Sequence, residues 1–453
     1  MLDFSVGKPW KLLLQFSIPL LISNLLTQFY YVVDLYIVGN FIGANATAAV
    51  MTTMSIMFAL VSLAIGITMG SSVIISQYFG AKDSLQIKRS IDTIIIFIFL
   101  ASLTISFAGI VFCDALLRVI GTPEDVFADA RTYALINFAG LLPLFGINCL
   151  IAILRGVGDS KTPLYALLIS SGINIVLSLT FVLGLGLGIA GAAYSTVLAQ
   201  SLTVAGMVFW LNRKHTIIKI TLRKLEFAPE IFRNKIRIGL PNGIQHALAA
   251  VGMMAVLGIV NNFTAENSDI LIAYSIVNRI DALAMSPAMA ISIAIGAFTG
   301  QNIGAQKIFR IPYGLKAALL MSTLLTVVIS AILMIFATPI MKMFSSEISA
   351  ETIFLGRRYL LIVCPFIVVF STMFIVSGVM RGAGDTLVPM FISLLALWIV
   401  RIPIASFLSE KIGADGIWVS IPVAWCVGCA CAVLYYRTGR WKKKGVIKPI
   451  EDY

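Results

Sequence analysis

Asp34 carries the sharpest chemical implication in this chain. It lies in Gln28-Phe-Tyr-Tyr-Val-Val-Asp-Leu-Tyr-Ile-Val-Gly39, inside a long apolar run. A carboxylate in hydrocarbon is costly, so it should face a wet interior and have a role. Two roles suit it: exchanging a proton, or holding a sodium ion by charge. Tyr30 and Tyr31 lie four and three residues earlier, on the same helix face. Two other readings compete. One is a structural pair with a buried base; the other is a position near the outer interface, since Gly39 follows closely.

Neutral polar candidates stand in the same half of the chain. Asn174 and Ser178 are four apart and stack on one helix face, and Thr196 follows on the next segment. Their oxygens could complete a cation shell around Asp34, and ordinary interhelical hydrogen bonding is the competing reading. The other half has His246, Arg279, Asp281 and Arg401 in apolar surroundings. Arg279 and Asp281 are two apart and do not face each other, so each needs another partner. A buried Asp281–Arg401 pair is expected, as a structural lock or a coupling element. Met57, Met253 and Met285, with Tyr30 and Tyr31, are candidates for lining a cavity that accepts varied apolar ligands. Packing in a core or against lipid is the alternative for the methionines. Beyond a possible sodium ion at Asp34, no metal site is expected. Cys426 and Cys429 form a Cys-x-x-Cys, but a zinc site needs more ligands and the chain has only two histidines, so the six cysteines read as small apolar packing residues.

These side chains must be positioned by elements that live in a membrane. The chain has 453 residues, of which 59% are apolar and only 12% are Asp, Glu, Lys or Arg. A soluble domain carries about 25% charged residues. The mean hydropathy is +0.98. A soluble enzyme, a disordered chain and a disulfide-stapled secreted domain are all excluded. A spanning helix needs about 20 apolar residues, and twelve apolar segments can be read: 12–38, 47–78, 90–112, 130–154, 163–185, 189–211, 234–262, 270–299, 313–338, 352–380, 387–408 and 416–437. All are expected to be helices, because long runs in lipid must satisfy their own backbone. Pro19, Pro143, Pro241, Pro287 and Pro365 fall inside them as candidate kinks.

The net charge is +12, concentrated in residues 211–238 and 437–453. A basic chain can bind nucleic acid. Here the basic stretches alternate with segments as cytoplasmic flanks do, so no nucleic-acid partner is expected. Lys82, Lys88, Arg89, Arg155, Lys161, Lys307, Arg310 and Arg381 fall in one set of loops. Glu124, Asp125, Asp129, Glu266, Asp269, Glu347 and Glu351 fall in the other. Both termini are therefore expected in the cytoplasm, with Lys342, Arg357 and Arg358 as exceptions. The first apolar run is too long, and holds Asp34, to be a cleavable signal.

The chain also repeats. Leu154-Arg-Gly-Val-Gly-Asp-Ser-Lys-Thr-Pro-Leu164 matches Met380-Arg-Gly-Ala-Gly-Asp-Thr-Leu-Val-Pro-Met390. Gln77, Gly80 and Ala81 match Gln301, Gly304 and Ala305; Gly188, Gly191 and Ser195 match Gly413, Gly416 and Ser420; Pro19 matches Pro241. The fold class expected is an all-α polytopic membrane protein, with twelve transmembrane helices in two pseudo-symmetric six-helix bundles. Residues 1–212 form the first lobe, 213–232 a basic cytoplasmic linker, 233–438 the second lobe and 439–453 a basic tail. Six spans per half give the halves one orientation, the arrangement of transporters that work by alternating access. The Arg-Gly-x-Gly-Asp boxes read as hinges, with Arg155–Asp159 and Arg381–Asp385 salt bridges expected. Neither box is a phosphate loop.

At these residues the chain resembles the multidrug and toxic compound extrusion family, most closely its bacterial DinF-like and MepA-like members. The carriers are Tyr31-Val-Val-Asp-Leu-Tyr-Ile-Val-Gly39, Ser76-Gln-Tyr-Phe-Gly-Ala-Lys82, Leu154-Arg-Gly-Val-Gly-Asp, Asn278-Arg-Ile-Asp281 and Gly300-Gln-Asn-Ile-Gly-Ala305, spread over nearly the whole chain. The resemblance implies two six-helix lobes around a central cleft. It also implies export of organic cations or drugs, driven by inward proton or sodium flow. It places Asp34 at the coupling acid, with Asn174 and Thr196 beside it. Ser178 departs from the family, since many relatives carry Asp in Asn-Ile-x-Leu-Asp-Pro where this chain reads Asn174-Ile-Val-Leu-Ser178-Leu. That departure weakens a sodium site, and proton coupling is preferred.

The expected function is thus a secondary active multidrug exporter, working by cation-coupled antiport in a bacterial plasma membrane. It would need no cofactor beyond H+ or Na+, and a monomer would suffice. The alternative is a flippase for a lipid-linked saccharide of the same superfamily. An enzyme is not expected, because no nucleophile–base pair or metal cluster can be read.

Overall fold

The computed structural model describes residues 1–214, 218–221, 225–264, 268–343 and 349–447. Parts of the basic linker and of the tail, and the loop acids Glu266 and Glu347, lie outside the described residues.

The first half of the chain forms α1 (Pro9–Phe41), α2 (Ala44–Gly80), α3 (Ser84–Val111), the short α4 (Cys113–Val119), α5 (Glu124–Ala139), α6 (Leu141–Gly156), α7 (Lys161–Leu179) and α8 (Gly188–Lys214). The second forms α9 (Pro229–Thr264), α10 (Ser268–Gly304), α11 (Arg310–Ile335), the short α12 (Ala337–Lys342), α13 (Ala350–Val363), α14 (Ile367–Gly382), α15 (Leu387–Leu394), α16 (Ile402–Ile412) and α17 (Ala414–Arg437). Each of the twelve predicted apolar segments corresponds to one helix or to one interrupted helix. Among the described residues, ten helical segments are long and apolar enough to cross a membrane, and the bent pair α5–α6 makes an eleventh. The twelfth segment is α2, 37 residues long.

The interruptions have local causes. α5 and α6 meet at a 53° bend. Pro143, in the first turn of α6, has no N–H to give the carbonyl at the end of α5. In the second half the break falls at Pro365, in the single 3-10 turn Cys364–Phe366 between α13 and α14. π-helical turns follow α7 (Thr180–Gly184) and join α15 to α16 (Leu395–Arg401). Pro19, Pro241 and Pro287 lie within continuous helices.

The contacts divide the chain into two compact units: Met1–Leu2 with Ile22–Gly243, and Asp3–Leu21 with Ile244–Tyr453. Both change-overs inside helices fall at equivalent positions of the repeat, within α1 after Leu21 and within α9 after Gly243. The units thus differ from the expected lobes 1–212 and 233–438 by an exchange of two half-helices. In the second unit, Gln301 accepts a hydrogen bond from the Phe4 amide at 2.8 Å, and Asn302 donates to the Phe4 carbonyl at 3.1 Å. In the first unit, buried Lys235 donates to the Ser90 carbonyl, and α9 crosses α2 with backbone against backbone. A Cβ on Gly66 would lie 2.2 Å from the Gly243 nitrogen, and one on Gly239 would lie 2.5 Å from the Ile67 Cα. Gly66-x-x-x-Gly70 meets Gly239-x-x-x-Gly243, the small-residue pattern that lets membrane helices approach closely.

Each unit repeats one packing scheme. α2 packs on α5 and α6 as α10 packs on α13 and α14, and α7 packs on α8 as α16 packs on α17. The repeat extends to the turns. Lys82 and Gln306, both at φ 58°, end α2 and α10 in the same left-handed turn. The core of the first unit gathers Ile91, Ile94, Phe138, Phe145 and Leu150 from α3, α5 and α6.

Candidate functional site

The polar residues predicted in the first half come together within the first unit. α7 turns Asn174 and Ser178 inward, one above the other, and both are buried. The Asn174 amide donates to the Thr196 hydroxyl of α8 at 3.2 Å. That hydroxyl in turn donates to the Ala192 carbonyl at 3.2 Å. The Tyr30 hydroxyl of α1 lies 3.5 Å from the same Thr196 oxygen. Thr196 is thus the hub of a three-helix polar cluster.

Asp34 lies one turn beyond Tyr30 and is only 3% exposed. Its Oδ1 atom is buried without a hydrogen-bond partner. Among the described residues no base forms an ion pair with it, so the structural pairing considered for Asp34 is not seen. Tyr30, Tyr31 and Tyr133 are close enough to interact with it electrostatically. Ser178 is fully buried, and its Oγ also lacks a partner. A buried carboxylate without a counter-ion is expensive to keep charged.

Beside the cluster, α1, α2, α6, α7 and α8 enclose a cavity of about 290 Å3. Tyr30, Tyr31, Asn174 and Thr196 line it, whereas Asp34 and Ser178 do not. Of the methionines predicted at a cavity, Met57 packs against the core of the first unit. Met253 is 39% exposed on α9, and Met285 is partly buried on α10. Neither lines this cavity.

The second-half residues are arranged differently from the expectation. Asp281 is buried, and its partner is Tyr359 of α13, whose hydroxyl donates to Asp281 Oδ2. Arg401 forms no ion pair with Asp281; its Nη1 lies 3.4 Å from the Met253 sulfur. α13 packs directly on α10 and brings the phenol to the acid. Trp418 then walls the pair, with its ring 5.1 Å from that of Tyr359. Tyr359 was missed by the sequence reading, although a buried tyrosine in an apolar segment usually calls for a hydroxyl partner. His246 and Arg279 are exposed side chains on α9 and α10 and do not join Asp281.

The Arg-Gly-x-Gly-Asp boxes also differ. No Arg155–Asp159 or Arg381–Asp385 salt bridge forms. Asp159 instead starts α7, accepting from the Lys161 and Thr162 amides at 3.0 and 3.1 Å and from the Thr162 hydroxyl at 2.7 Å. Asp385 accepts from the Tyr435 hydroxyl at 2.5 Å. The first free amides of a helix attract a carboxylate, and this wins over a guanidinium held in the preceding helix. Gly158 (φ 79°) and Gly384 (φ 92°) make the left-handed turns that lead from arginine to acid.

The MatE family model matches residues 19–180 and again 241–407. The chain is 33% identical to the probable multidrug resistance protein YoeA of Bacillus subtilis over 451 residues, 98% of this chain and 96% of that one. It is 30% identical to the probable multidrug resistance protein YpnP of the same organism, covering 97% of each. An outward-facing structure of a multidrug resistance MATE family transporter of the MOP superfamily has the same fold, with a TM-score of 0.89, 24% identity and coverage of 97% and 98%. The twofold match of the family model, the twelve helical segments and the full-length relatives agree: this chain belongs to the MATE family, a multidrug efflux family of multi-pass membrane proteins whose members are transporters and not enzymes.

Proposed function

We propose that this protein is a secondary active multidrug exporter that exchanges protons for organic cations or other drugs by alternating access. The observation that carries the reading is Asp34, buried and without a counter-ion beside the Tyr30–Thr196–Asn174 cluster. Taking up a proton removes a charge from an apolar and aromatic surround, and losing it restores the charge. Any rearrangement of α1 that differs between the two states is then linked to proton binding, and the linkage is reciprocal. Pro19, within α1, is where that helix can bend with least loss of hydrogen bonding. A proton is favoured over sodium because the nearby Asn174 and Thr196 groups already bond to each other, and Ser178 supplies a hydroxyl where a second carboxylate would be wanted. The basic flanks support placement in a bacterial plasma membrane with both termini in the cytoplasm, and a site built within one unit of one chain suits a monomer.

The test is ethidium efflux from inverted vesicles under an imposed proton gradient and then a sodium gradient, for wild type and Asp34→Asn. Proton-driven efflux that the substitution abolishes supports the proposal. Efflux driven by sodium alone refutes the choice of ion. Unchanged proton-driven efflux in Asp34→Asn refutes the role of Asp34. No efflux under either gradient refutes drug export and turns attention to lipid-linked saccharides.

A further inference from the structure

The cavity of the first unit has one charged side chain on its wall, Arg155 of α6. Its Nε is buried and unpartnered. Among the described residues neither an ion pair nor a hydrogen bond engages its guanidinium, because Asp159 is spent on the start of α7. The carbonyl end of α6 steadies the cation, but it leaves the donor fork open toward the cavity. The remaining polar wall is neutral: Thr27, Asn148, Ser170, Asn174 and Gln200 among others, with no carboxylate.

The second unit carries a covered arginine at the same position. Arg381 is the repeat equivalent of Arg155. Its Nε lies 3.4 Å from the Ser377 carbonyl, and its guanidinium lies over the Phe374 ring at 5.7 Å. The equivalent of Phe374 in the first unit is Asn148. The difference extends along the cavity. Where the first unit has Tyr30, Ser171, Asn174, Thr196 and Gln200, the second has Gly252, Leu397, Val400, Ile421 and Trp425. There Leu397 closes onto Gly252, and Phe370 packs between Phe374 and Trp425 at 4.3 and 5.1 Å. One copy of the repeat covers its arginine with aromatic and aliphatic groups. The other uncovers it onto an amide- and hydroxyl-lined space.

We infer that the cavity of the first unit is a carboxylate-recognition site, in which Arg155 anchors an anionic end of the solute. The inference rests on the exporter reading for its solute and names the class: amphiphilic compounds that bear a carboxylate. A planar guanidinium suits the two oxygens of a carboxylate. A single arginine among neutral groups matches a monoanion and leaves the second charge of a phosphate unmet. The neutral amides and hydroxyls then serve the polar remainder of the molecule.

The experiment is equilibrium binding to the purified full-length protein in nanodiscs, followed by ligand fluorescence. The probes are a fluoroquinolone with its free carboxylate and the methyl ester of the same molecule. Wild type is expected to bind the acid at least about tenfold more tightly than the ester, a difference of about 1.4 kcal/mol. Arg155→Gln should erase that preference while leaving ester binding within about twofold, and Arg155→Lys should retain part of it. Asn148→Phe, which installs the cover found over Arg381, should erase the preference with Arg155 still present. Equal binding of acid and ester by wild type overturns the inference. So does a preference that survives either Arg155→Gln or Asn148→Phe. Because binding needs no gradient, failure of proton-driven efflux would remove the coupling reading and leave the acid preference to be judged by itself.

Discussion

Gly66→Ala tests how closely α2 and α9 must approach. The new Cβ would lie 2.2 Å from the Gly243 nitrogen, 2.5 Å from its Cα and 2.7 Å from the Gly239 carbonyl oxygen. All three are backbone atoms, so no side chain can swing away. Ordinary contact begins at 3.4 Å, and the two backbones must part locally by about 1.2 Å. Parting removes dispersion contacts along the whole four-glycine crossing, since each atom pair loses much of its attraction over such a gap. Overpacking of this kind costs about 1–3 kcal/mol. At about 2–4 °C per kcal/mol for a unit of this size, the apparent melting temperature in nanodiscs should fall by about 2–12 °C. Gly206→Ala in α8 is the control. It makes the same change in helix propensity, and a Cβ there meets nothing within 4 Å. Equal melting temperatures for the two variants would refute the reasoning, because they would show that the crossing has room for a methyl group.

Two further substitutions probe buried polar groups. Tyr359→Phe removes the hydroxyl that donates to Asp281 Oδ2, whose other oxygen already lacks a partner; a loss of about 1–3 kcal/mol is expected, read as a lower melting temperature, and an unchanged one would mean the pair is not held in the membrane. Lys235→Met replaces a fully buried cation whose hydrogen bond goes to the Ser90 carbonyl and which forms no ion pair among the described residues; stability should be unchanged or raised, and a clear drop in melting temperature would show that the ammonium is needed to hold α9 against α3.

Much of the architecture was legible in the amino-acid order because its causes are local. Membrane spans announce themselves by length and apolarity, and a backbone without water has only helix to adopt. The repeat was legible in the Arg-Gly-x-Gly-Asp boxes, because a left-handed turn needs glycine at the same place each time, as at Gly158 and Gly384. The spacing of Asn174 and Ser178 placed them on one face, and their burial follows from it. Proline positions indicated breaks, yet only Pro143 and Pro365 lie where helices are interrupted.

Partnerships are another matter, because they depend on how each helix is rotated and on which neighbour it meets. Asp281 could have met Arg401, but the packing of α13 on α10 delivered Tyr359. Asp159 could have met Arg155, but the free amides of α7 were nearer. Gly66-x-x-x-Gly70 and Gly239-x-x-x-Gly243 are visible in the sequence, whereas their meeting is a fact of the fold. So is the exchange of half-helices at Leu21 and Gly243, since contacts between segments well over 100 residues apart leave no mark in local periodicity. The open guanidinium of Arg155 is the clearest case. Its box reads almost the same in both halves, and only the residues packed around it, Asn148 in one unit and Phe374 in the other, decide whether the charge is covered or presented.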